Sequence, residues 1–261
     1  MLANQTNYKA RLTLALEQSP VAVPRVEAFP LPGEAEFPSP PALPNSLLRL
    51  DLWLSSFVAD LHDITHIIKS DIGLTVQLLR LAARESEESP GKIGTISEIV
   101  VNVGLEKSRT LVAGSVTLPQ HFRGRAGLSM CDRFWTHSRL TALIAEELAC
   151  QSSEVSPEEA YLAGLMCRLG DLPSLLGWQS PGSSAENSRH LGRRIARAWG
   201  FPPDLADVIG GDLKACRTGE SHALLEIVSD ADTWASRLEF LAARESESVR
   251  ANSPPYRLAR S

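Results

Sequence analysis

The chain has only four cysteines, Cys131, Cys150, Cys167 and Cys216, and no two of them form a CxxC pair. That spacing supports neither a zinc ribbon nor a disulfide framework, and buried reduced thiols are the expectation. No apolar run approaches 18 residues, so no membrane-spanning helix is expected. The first residues, MLANQTNYKAR, lack the apolar core of a signal peptide, which makes a cytoplasmic location the default. Lysine is scarce, 5 against 21 Arg, and the formal net charge is -5. An excess of acid argues against a general nucleic-acid binder, which would carry a basic stripe. A glycine-rich phosphate loop is also missing, because Gly210-Gly211 stands without a strand–loop–helix context.

What is present is a helical pattern. Eight of the 17 prolines fall between Pro20 and Pro44. They predict an extended linker, not a core element. Before it, residues 1–19 offer Leu12, Leu14, Ala15 and Leu16 for a short helix that is marginal in water unless it docks. Beyond it, Asn45, Asp63 and Ser70 or Asp71 are candidate helix caps, and Leu74, Leu78 and Leu81 mark a buried face. Thr95 or Ser97 opens a short helix that Gly104 ends. A long helix is predicted over residues 129–149. Another follows Ser156, where Pro157 suits the first turn and Glu159 completes a capping box. Leu162, Leu165, Met166 and Leu169 place one apolar stripe on that helix, and Ala160, Ala163 and Gly164 permit close approach by a neighbour. Further helices are expected over residues 188–199, 205–209 and 220–243, with a charged, Pro-containing tail of little fixed structure from Arg244.

Several of these stretches, in order, resemble one family. Pro41-Ala42-Leu43-Pro44 leads into a helix, Asp71 starts another, Val103-Gly104 precedes Arg109 and Leu111, and EEAYLAGLMCRLGDLPSLL forms the centre. Together they resemble the HDOD domain, a branch of the HD phosphohydrolase superfamily, over roughly residues 38–240. The resemblance implies an all-α, multi-helix bundle over residues 38–243. A helix and proline-rich arm would occupy residues 1–37, and a flexible tail residues 244–261.

The resemblance also nominates a site. Catalytic relatives carry an adjacent His-Asp pair in the central helix, which holds metal; here the pair reads Cys167-Arg168. A guanidinium has donors only and cannot ligate a cation. His137 resembles the first metal-binding histidine and Asp232 the last metal-binding aspartate, while Gly210-Gly211-Asp212-Leu213 stands where later histidines are frequent. No catalytic residue, metal or cofactor is therefore expected. One expectation is that Arg168 substitutes its own charge for the lost ion and pairs with Asp232, near His137. A buried pair of that kind would cost about 3–5 kcal/mol to break. The alternative leaves Arg168 in solvent at the helix end. A basic face of His190, Arg193, Arg194 and Arg197 is a second candidate, for a phosphate or nucleotide, against a simple solvated helix face.

The family is implicated in bacterial signalling and regulation. The implied function is thus a non-catalytic regulatory module that binds a signalling protein or a small signal ligand, without nucleic acid or membrane. The competing reading is a diverged metal-dependent phosphohydrolase using His137, Asp232 and an acid such as Asp171 or Asp212.

Overall fold

A computed structural model describes residues 37–55, 60–85, 95–121, 128–178, 187–216 and 218–252. The helix expected over residues 1–19, the part of the predicted linker before Phe37 and residues 86–94 lie outside them; the described end of that linker is not a mere tether, since Phe37 and Ala42 are fully buried in the core. The order is α1 (Pro44–Leu54), α2 (Leu61–Lys69), α3 (Ile72–Glu85), α4 (Ile96–Val103), α5 (Leu105–Gly114), α6 (Leu118–His121), α7 (Leu128–Cys150) and α8 (Pro157–Met166). A 3-10 turn at Leu169–Asp171, α9 (Leu172–Leu176), α10 (Ser188–Ala198), α11 (Pro203–Gly210) and α12 (Gly219–Asn252) complete it. Among the described residues the only extended pairing is an isolated bridge between Ala42 and Thr117. The protein is all-α, as the sequence pattern requires.

The amino-terminal helices are locked by one buried carboxylate. Asp71 accepts from the backbone N–H of Gly73 at 2.8 Å, which caps α3, and from Leu43 N–H at 2.7 Å and Trp135 Nε1 at 3.3 Å. It therefore ties the Pro-Ala-Leu-Pro entry and α7 to one point. The entry strand also needs Gly73, since a Cβ there would lie 2.2 Å from the Pro41 carbonyl oxygen. Arg109 donates through Nε to the Leu54 carbonyl at 3.1 Å, fastening α5 to the end of α1.

Helix α8 departs from the stripe its sequence suggests. Every residue from Ala160 to Met166 is buried, because α7, α11 and α12 surround it. Gly164 permits this: a Cβ there would meet Ala142 Cα at 3.0 Å and the Thr141 carbonyl at 3.1 Å. The Ser156 side chain makes no cap, and Glu158 instead accepts from Ile96 N–H at 2.9 Å, tying α8 to α4. A capping box does form at Thr95 and Glu98, with bonds of 3.1 and 2.8 Å. The cap of α2 is Asp60, three residues before the expected Asp63. Asn45 lies inside α1, whose cap position is Leu43.

The central run does not stay helical to its end. Helix α8 stops at Met166, and the chain tightens through Leu169–Asp171. Gly170 makes that turn possible, because a Cβ there would fall 1.7 Å from the Ser188 carbonyl oxygen and 2.8 Å from Gly192 N. This close approach docks α10 against the turn that carries Arg168. The last helix continues to Asn252, nine residues past its expected end at residue 243, so the first part of the anticipated tail is helix. Trp199 and Trp135 are core anchors and Trp178 is half-buried.

Candidate functional site

Helices α7, α8 and α12 converge on Asp232. Helix α7 supplies His137, the end of α8 supplies Cys167 and Arg168, and α12 supplies Asp232. The four residues nominated from distant stretches are one cluster. Arg168 Nε donates to Asp232 Oδ1 at 2.8 Å and Arg168 Nη2 to Oδ2 at 3.2 Å, a two-point clasp. His137 Nε2 lies 2.9 Å from the same Oδ1, and the Cys167 thiol points at it from 4.0 Å. Arg168 reaches a second turn of α12 through Ser236 Oγ at 3.3 Å.

The pair is not fully buried. The Arg168 side chain keeps 38% of its surface exposed and Asp232 25%. The cost of 3–5 kcal/mol expected for a buried pair therefore falls to the lower range of a screened one. Burial by itself would raise the Asp232 carboxyl, but the bonds and charges of His137 and Arg168 outweigh it and hold it at about 2. Burial, reinforced by the Asp232 charge, pushes the Cys167 thiol up to about 12, although the residue is only partly buried. A thiol so placed is a poor nucleophile at neutral pH.

One member was missed. Glu239 Oε2 lies 3.1 Å from His137 Nδ1, within ion-pair range though not aligned as a hydrogen bond. The signal was readable: Glu239 follows Asp232 by seven residues, two helical turns, so both carboxylates share one face of α12. His137 is thereby held between two carboxylates of one helix.

These residues do not fit a metal ion. Both Asp232 oxygens receive guanidinium hydrogens, and the positive charge of Arg168 stands 2.8 Å from the carboxylate a cation would need. Among the described residues no three His, Cys, Asp or Glu side chains converge to hold one. The two acids of the enzyme reading lie elsewhere in role. Asp171 accepts a short bond from Ser188 Oγ, and Asp212 caps a turn through Lys214 N–H at 2.9 Å.

A cleft of about 310 Å³ opens beside the clasp, floored by Val208, Ile209 and Val228 and rimmed by Arg168, Asp171 and Arg189. The proposed basic face on α10 is largely engaged within the fold. Arg193 Nη2 and Arg197 Nη2 both reach buried Asp207 Oδ1, at 2.7 and 3.0 Å, and Arg194 lies over the Phe37 ring at 5.6 Å. His190 is exposed on the same helix. Asp207, which absorbs two of the four candidates, sits on α11 inside a run that reads as apolar.

Comparison with known proteins follows the same lines. The profile of the HDOD domain matches residues 41–180, more than half of the chain. The chain belongs to the HDOD family. Within this HDOD protein, the matched region covers α1 through α9 and ends before Asp232, so the partner of Arg168 lies outside it. A crystal structure of the MmoQ response regulator from Methylococcus capsulatus is 17% identical, with a TM-score of 0.57 over 82% of this chain and 88% of that one. A second, of a fragment of the same protein, is 20% identical with a TM-score of 0.59, over 85% and 95%. Identities this low show a shared fold. No curated protein sequence matches the chain. No helix among the described residues is long and apolar enough to cross a membrane.

Proposed function

We propose that this HDOD protein is a non-catalytic regulatory module that works by binding a signalling protein or a small signal ligand. The observation that carries the reading is the two-point clasp of Arg168 on Asp232. It puts a permanent cation where the superfamily resemblance calls for an ion, and it spends the lone pairs that an ion would use. A fixed internal charge holds α8 to α12 without turnover. The fold shared with a protein described as a response regulator supports a signalling role.

The test is a phosphohydrolase assay on the full chain with phosphomonoester and phosphodiester substrates, supplied with manganese, iron or magnesium. No turnover above buffer is expected. Metal-dependent turnover that Asp232→Asn abolishes would overturn the reading and favour the diverged hydrolase.

A further inference from the structure

Helix α12 carries an apolar face that nothing among the described residues covers. Its last buried residue up to position 245 is Ala235, and around and beyond it Trp234, Leu238, Phe240 and Leu241 are 46–62% exposed. A contiguous patch of this kind marks an interface. The charges beside it are ordered. Glu226 and Asp230 stand exposed before Trp234, and Arg237 and Arg244 stand exposed after it. At about 100° per residue the four fall within an arc of about 40°, so acid and base occupy opposite ends of one line. None has an ion-pair partner among the described residues; Arg237 stacks over the Trp234 ring at 5.4 Å and Arg244 over Phe240 at 5.8 Å. The helix dipole does not account for this order, because its influence fades within the first and last turns and Asp230 and Arg237 lie well inside Gly219–Asn252. Glu226 and Asp230, four residues apart, also repel each other, a cost that facing cations would relieve.

We propose that this face pairs with the same face of a second copy of the chain, the two α12 helices running antiparallel about a two-fold axis at Trp234. A two-fold interface uses one patch twice, so the patch must complement itself. This one does. With the axis at Trp234, Arg237 comes within one residue, about 1.5 Å of rise, of the level of the partner's Asp230. Arg244 comes within two residues, about 3 Å, of the level of the partner's Glu226. Side chains of this length close both offsets, and symmetry doubles the pairs. Phe240 comes over the partner's groove of about 480 Å³, where Leu225 and the 53% exposed Leu213 offer an apolar seat. A parallel pair would set Arg237 on Arg237 and Asp230 on Asp230, so charge selects the antiparallel one. Asp232 and Asp230 point about 200° apart around the helix, so the clasp grips α12 from inside while the interface uses its outer side. One helix pair buries less than a standard interface, so a reversible dimer of about micromolar affinity is expected.

Sedimentation velocity of the full chain between about 1 and about 100 µM reads the association. Glu226→Lys/Asp230→Lys makes the line basic throughout, and Arg237→Glu/Arg244→Glu makes it acidic throughout. Each variant alone should self-associate at least about tenfold more weakly than the wild type, because like charges then face each other. Mixed in equal amounts, the two variants should dimerise again. All four side chains are exposed, so thermal midpoints should hold; if one falls, the single substitution Leu241→Glu should give the same loss of dimer. Wild-type protein that stays monomeric at about 100 µM would overturn the proposal and leave the face to a different partner. So would a dimer that the charge variants and Leu241→Glu leave intact, or charge variants that stay apart when mixed.

Discussion

Replacing Asp232 by Asn removes the charge that Arg168 and His137 share while keeping the shape. The fall of the carboxyl from 3.8 to about 2 corresponds to roughly 2.4 kcal/mol of preference for the ionised form. Because the guanidinium is more than a third exposed, solvent screens part of this, and about 1–2 kcal/mol should be lost at pH 7. The pH dependence has a definite sign. A depressed carboxyl contributes its full stability above its unfolded value near 4, and loses it as the pH falls towards about 2. The gap between wild type and Asp232→Asn should therefore narrow as the pH falls below 4. Burial raises the Asp71 carboxyl, which acts with the opposite sign, but both proteins share that residue and it cancels. Urea titration followed by circular dichroism gives the difference as a shifted midpoint at constant slope. Equal midpoints at pH 7, or a gap that widens between pH 4 and pH 2, would refute the electrostatic account of the cluster.

Gly170→Ala should destabilise by about 3 kcal/mol, because its Cβ would enter the Ser188 carbonyl and push α10 off the turn; a midpoint within error of wild type would contradict that packing. Asp71→Ala should cost about 3 kcal/mol in the same titration by orphaning backbone donors of Leu43 and Gly73 and the Trp135 indole. With a thiol reagent at pH 8, exposed Cys150 should label well before Cys167, whose thiol burial holds near 12; mass spectrometry of the labelled peptides distinguishes them.

Local signals in the sequence were legible where one element decides the outcome. Asp71 begins α3, Gly104 ends α4, and the small residues of α8 do mark a close helix–helix approach. The site was legible because the resemblance aligned His137, Cys167, Arg168 and Asp232, and the clasp then follows from charge. What escaped depends on distant partners. Glu158, one position before the expected capping residue, caps a different helix, because α4 lies within reach of its carboxylate. Arg193 and Arg197 read as a solvent-facing basic stripe, yet both pair with Asp207 from α11, which half-buries Arg193 while Arg197 stays exposed. The length of α12 was misjudged because charged residues after position 243 are equally compatible with an exposed helix.

Metal content is the most direct measurement. The full chain, incubated with manganese, iron or zinc and then dialysed, should retain well under one equivalent by elemental analysis, and Arg168→Ala should not change its stability on adding those ions. A stoichiometric ion whose retention requires His137 and Asp232 would contradict the claim that Arg168 replaces it.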